Sequence, residues 1–125
     1  MAERYGVRAE NTATQEIDGE AVVINLDTYH YYGLNRTATL VWAMLHDGGR
    51  ERADLVEGLA GAFALLPEAT AADVDRLIEG LLDEGLIHAT DAVAPSGFAV
   101  AIDGDYVPPR LERHGKLDQL MLSGE

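Results

Sequence analysis

The chain changes its hydrophobic period once, at Gly33-Leu34-Asn35, and a chain patterned this way is constrained to build a sheet first and helices after it. Upstream, Ala21 to Leu26 is β-branched and apolar, and Tyr29 to Tyr32 is aromatic, so both runs favour strands. Asp18-Gly19 and Asp27-Thr28 are tight-turn signals between strand-like runs. Residues 5 to 17 are mixed polar with isolated apolar positions and read as a first, edge strand. Three antiparallel strands in a meander are the simplest assembly of these pieces.

Downstream of the switch, Asn35 is a good N-cap for a helix from Arg36 to about His46, with Ala38, Val41, Trp42 and Leu45 on one face. Asp47-Gly48-Gly49 stops it, and a second helix from about Arg50 to Phe63 turns Leu55, Leu59, Ala62 and Phe63 inward. Thr70 caps a third helix, Ala71 to Glu84, whose stripe is Val74, Leu77, Ile78, Leu81 and Leu82, with Gly85 as its stop. Leu86-Ile87 adds a short extended piece. The expected class is α+β and winged-helix-like, a three-stranded antiparallel sheet followed by three helices. Past Asp91 the composition shifts. Ala92 to Gly97 reads as a linker, Phe98 to Ile102 as an apolar run, and Asp103-Gly104-Asp105 as a turn. The expected division is a domain over 1–91, a linker over 92–105 and a distinct tail over 106–125.

Charge and composition exclude several functions. A net charge of −13 with nine Lys and Arg leaves no basic surface for phosphate neutralisation, so no nucleic-acid partner is expected. The chain has no cysteine, which removes disulfides, thiolate metal sites and a thiol nucleophile together. No run is long enough to span a bilayer and residues 1 to 10 lack an apolar signal core, so a soluble cytoplasmic protein is expected. His30, His46, His88 and His114 are scattered singly, without metal-site spacing on a helix. The only serines, Ser96 and Ser123, do not sit in a nucleophile elbow. Asp73, Asp75, Asp83 and Glu84 read as solubilising charge, and Asn35-Arg36-Thr37 as a helix start rather than a glycosylation site. No catalytic residue, metal or cofactor is expected, and the chain is not read as an enzyme.

The body resembles the PqqD-like family. The residues that carry the likeness are Asp18-Gly19-Glu20 with the strand Ala21 to Ile24, then Tyr31-Tyr32-Gly33-Leu34-Asn35-Arg36-Thr37-Ala38, Val41-Trp42, and Leu81 to Ile87. They follow the family's order and gaps over roughly residues 5 to 90. The resemblance implies a peptide-recognition element of a pathway for ribosomally made, modified peptides. Such an element captures a precursor's leader and does no chemistry itself. In lasso-peptide pathways it presents the leader to a protease and a cyclase, which would be the partners here. An exposed strand edge beside a helix accepts an extended peptide as an added strand. By the resemblance, the groove falls on Tyr29, His30, Tyr31 and Tyr32 of the third strand and on Val74, Leu77, Ile78 and Leu81 of the third helix. Core packing is the plain alternative for each helix residue and for one alternating pair of the strand.

The tail resembles the other half of that encounter. From Tyr106 it reads Tyr-Val-Pro-Pro-Arg-Leu-Glu-Arg-His-Gly, similar to a lasso-precursor leader, whose pattern is Y-x-x-P-x-L-x-x-x-G followed by Thr. Tyr106, Pro109, Leu111 and Gly115 match in identity and spacing, while the Thr position falls on Met121. The likeness implies that Tyr106 and Pro109 anchor in the groove with Leu111 beside them, the tail adding as an extra strand. Gly115 is expected to matter less to this domain, because past Leu111 the pattern serves the partner enzymes as well. No core peptide follows Glu125, so the chain is not expected to be a complete substrate. An engineered tether and a natural fusion whose tail blocks or scaffolds the groove both remain open. The competing class is an acidic winged-helix regulatory module that binds another protein, its tail an oligomerisation or structural strand.

Overall fold

A computed structural model describes residues 3–94, 100–102 and 104–116. Met121, Ser96, Ser123 and the Phe98 end of the apolar run lie outside the described residues. The elements in chain order are β1 (Arg4–Val7), β2 (Thr12–Ile17), β3 (Glu20–Asn25), β4 (His30–Leu34), α1 (Arg36–His46), β5 (Arg50–Glu51), α2 (Arg52–Ala62), α3 (Ala71–Asp83), β6 (Ile87–Ala89) and β7 (Leu111–Lys116). A 3-10 turn, Pro67–Ala69, leads into α3. The strands form two antiparallel sheets, ordered β5-β1-β6 and β2-β3-β4-β7.

Local chemistry explains the boundaries. Asp18 and Gly19 both take left-handed φ, 53° and 82°, which is the backbone a two-residue hairpin between twisted strands needs. Residues 5 to 17 are two strands rather than one edge strand. Hydrogen bonds from Ala9 N to Val7 O and from Asn11 N to Arg8 O turn the chain between them, and the Arg8 guanidinium anchors the corner on Gly85 O at 2.9 Å. β1 therefore leaves the meander and pairs with β5 and β6.

The third strand also starts later than Tyr29. Asn25 Oδ1 accepts from Asp27 N and Thr28 N, its carbonyl accepts from Tyr29 N at 2.7 Å, and Tyr29 closes this turn at a φ of 63°. The second helix gives up its first two residues to β5, because Glu51 and Asp54 form a reciprocal capping box that starts α2 at Arg52.

The core lies between the inner face of β3 and β4 and the three helices. Val23, Tyr32 and Leu34 meet Val41, Trp42 and Leu45 of α1, Leu55 and Leu59 of α2, and Val74, Leu77, Ile78 and Leu81 of α3. Leu82, expected in the α3 stripe, is instead 38% exposed. At the helical spacing of about 100° per residue it points to the flank of the Val74–Leu81 face.

Candidate functional site

The site is built where β4, the N-terminus of α1 and the outer side of α3 meet. β4 pairs with β3 on one edge and with β7 on the other, so the tail occupies what is otherwise an open strand edge. The β4–β7 register runs His30 to Lys116, Tyr31 to Gly115, Tyr32 to Arg113, Gly33 to Glu112 and Leu34 to Leu111. It shifts between Tyr31 and Tyr32, which makes His114 the extra residue of a bulge. The freed imidazole stacks on Tyr31 with ring centroids 5.5 Å apart. It also passes over Gly33, where a Cβ would stand 2.7 Å from His114 Nε2.

The tail reaches that strand by a path of specific contacts. Ile102 N donates to Ala62 O at the end of α2. Tyr106 then meets Phe63 edge-on at 5.4 Å, and its hydroxyl donates to Asp73 Oδ2 at 2.8 Å. Burial first, and then this bond to a carboxylate, push the Tyr106 phenol well above its ordinary range. Pro109 and Leu111 sit over a groove of about 340 Å³ whose far wall is Arg76, Leu77, Gly80 and Glu84. Leu111 Cδ2 would be 3.4 Å from a Cβ on Gly80, so the missing side chain there leaves it room.

Within the described tail from Tyr106 on, the half-buried residues are Tyr106, Pro109, Leu111 and Gly115, and those between them are exposed. Gly115 takes a φ of 133°, which L side chains rarely adopt.

The eight residues expected to form the groove divide. His30 and Tyr31 lie along the paired edge of β4. Tyr32 is fully buried, with its hydroxyl donating to Glu84 Oε1 at 2.9 Å. Burial, and then that bond, raise its phenol to about 12. Val74, Leu77, Ile78 and Leu81 are core residues under the sheet, of which Leu77 also reaches the groove. Tyr29 is 54% exposed, in the turn ahead of the strand.

Four contributors were not foreseen as site residues. Asp73 and Glu84 looked like solvent charge, yet Asp73 holds Tyr106 and Arg76, and Glu84 holds Tyr32 and faces Arg113 at 3.7 Å. Asn35 and Thr37 read as a helix start and as part of the family-like segment, without a binding role, and both also bond to the tail backbone. Gly80, a helix-weakening residue in the middle of α3, was the available signal of a close approach.

A family model described as Coenzyme PQQ synthesis protein D (PqqD) matches residues 20–87, more than half of the chain. This chain belongs to the PqqD family. The match runs from β3 to the first residue of β6, so it includes β4 and all three helices and leaves the tail outside the PqqD segment. The fold is also similar to a solved structure of TbiB1 in complex with the TbiA(beta) leader peptide. That likeness has a TM-score of 0.60 at 19% identity and covers 66% of this chain and 94% of that one, so it is a likeness of fold. No curated protein matches the chain.

Proposed function

We propose that this PqqD-family chain is a non-catalytic domain that binds the leader peptide of a lasso-peptide precursor and holds it for a partner protease and cyclase. In this reading residues 1–91 are the receptor in a winged-helix-like arrangement, 92–105 the connection and 106–125 a leader-like segment, whose described part, 106–116, fills the groove in cis and adds a strand. The observation that carries the reading is a coincidence of two independent patterns. The four tail positions that match the leader pattern are the four that are half-buried against the body, while their neighbours face solvent. The PqqD assignment and the fold shared with TbiB1, whose solved structure holds a leader peptide, support the same reading. β4 supplies backbone pairing, and the α2–α3 side supplies pockets for spaced side chains, which is how strand addition combines affinity with selectivity.

Competition between cis and trans tests it. A short tether gives the tail an effective concentration on the order of millimolar, so a segment of micromolar affinity stays docked almost all the time. A synthetic peptide of residues 104–116 should bind a chain ending at Ala94 and bind the intact chain far more weakly. Equal affinity for both would overturn the proposal.

A further inference from the structure

Residues Val107 to Arg110 read Val-Pro-Pro-Arg, and they enter the strand just ahead of the last register pair, Leu34 with Leu111. A β-ladder needs alternating N–H and C=O groups from the incoming chain, and two consecutive prolines supply no N–H. Side chains at the start of α1 take over there. Thr37 Oγ1 donates to Val107 O at 2.7 Å, and Asn35 Nδ2 donates to Pro108 O at 2.9 Å. Arg110 N donates to Asn35 Oδ1 at 2.9 Å, and Asn35 N donates to Arg110 O at 3.3 Å. The Asn35 carboxamide thus stands in for a peptide unit and extends β4 past Leu34. Its contacts ignore the side chains they pass, since Val107 is 52% exposed and the Arg110 side chain 68% exposed.

We infer that Asn35 and Thr37 form a backbone clamp that sets the register of the bound peptide. The clamp accepts proline at the two positions ahead of Arg110 and requires an N–H at Arg110 itself. The inference rests on the leader-binding reading and adds what that reading does not give, the backbone requirement at the positions between the anchors. The peptide class that meets it is an extended segment in which proline is tolerated at two consecutive positions and the next residue supplies a backbone N–H.

The competing role for Asn35 is structural, because its Oδ1 also accepts from Ala38 N at 3.0 Å and so caps α1. Asn35→Asp separates the two. Aspartate is as good an N-cap as asparagine and keeps the acceptor for Ala38 and Arg110. It loses the donor to Pro108 O and sets one acceptor against another.

The test is amide hydrogen exchange of the intact chain. Asn35→Asp should leave the melting temperature and the α1 amides as in the wild type and speed exchange of the Leu111–Lys116 amides about tenfold, a lost hydrogen bond's worth. Thr37→Val should speed it about threefold on the same reasoning. Arg110→Ala should change little, whereas Arg110→Pro should speed exchange about tenfold or more by removing the N–H held by Asn35. Loosening of α1 together with β7 in Asn35→Asp would reduce Asn35 to a cap and refute the clamp. Tolerance of Arg110→Pro would refute the register rule. Tyr106→Ala is the reference: if it speeds exchange while Asn35→Asp does not, the clamp alone is wrong. If Tyr106→Ala has no effect either, the docking reading falls and takes the clamp with it.

Discussion

Replacing Tyr106 by Phe removes one hydroxyl and leaves the ring in place against Phe63. That hydroxyl donates to Asp73 Oδ2 at 2.8 Å. A hydrogen bond to a charged group contributes about 1.5–3 kcal/mol. Asp73 keeps its ion pair with Arg76 at 3.2 Å and its side chain is 20% exposed, so water can replace part of what is lost. The expected cost to docking is therefore the low end, about 1.5 kcal/mol, or roughly tenfold. Tyr106→Ala also removes an edge-on ring contact of about 0.5–1.5 kcal/mol. It gives up in addition about 2 kcal/mol of apolar burial, so it should reach about 4 kcal/mol in total. Exchange of the β7 amides in the intact chain reads both. A double-mutant cycle of Tyr106→Phe with Asp73→Ala removes the separate effect of Asp73 on the first turn of α3 and should give a coupling of about 1 kcal/mol or more. Strict additivity, or a Tyr106→Phe chain that exchanges at the wild-type rate, would refute the claim that this hydrogen bond holds the tail in place.

Two further outcomes follow from backbone and ionisation. Because Gly115 sits at a φ of 133°, L-alanine there should weaken a synthetic tail peptide by about 1–3 kcal/mol, while D-alanine, which prefers positive φ, should bind close to the glycine peptide. Equal losses from the two enantiomers would show that φ is not what the site reads. For Tyr32, the folded-state value of about 12 lies above the ordinary 10.0, so stability from the neutral phenol is complete below pH 10 and is lost as pH rises from 10 towards 12. Denaturant melts across that window should fall less steeply for Tyr32→Phe than for the wild type, and equal slopes would count against the buried phenol as the cause.

Much of this arrangement was legible because it is encoded locally. The Asn35 cap, the Gly85 stop and the apolar stripes of the helices depend on neighbours three or four residues away, and such signals survive in a bare sequence. The spacing of Tyr106, Pro109, Leu111 and Gly115 is local in the same sense. What was not legible depends on partners far along the chain. Nothing near Asp73 says that a tyrosine 33 residues on will seek its carboxylate, and a carboxylate on a helix flank is ordinarily solvated. Asn35 hid a second role behind a sufficient first one. Gly115 was expected to matter less to this domain than Tyr106 and Pro109, and its positive φ is a constraint that a family pattern does not carry, since it gives the identity of a residue without its backbone. The single first strand failed for a related reason: what separates β1 from β2 is the pairing of β1 with β6, a long-range event.

The forces that hold the tail also bear on what the groove is for. The described tail carries Arg110, Arg113 and Lys116, three of the nine basic residues of a chain whose net charge is −13. Among the described residues, the ion pair between the tail's basic residues and the body is Arg113 with Glu84, at 3.7 Å and with Arg113 56% exposed, while Arg110 pairs with Glu112 inside the tail. Exposed pairs of this kind contribute about 0–1 kcal/mol, so the complementary charge does little to keep a docked tail in place. Opposite charge acts instead on the encounter, by drawing a ligand in from solution. A tethered segment has no need of that, because its encounter is intramolecular. Within residues 104–116, however, Arg110, Arg113 and Lys116 are offset by Asp105 and Glu112, a net charge of +1, so even the encounter gains little from charge, and docking rests on strand pairing and on the Tyr106, Pro109 and Leu111 contacts.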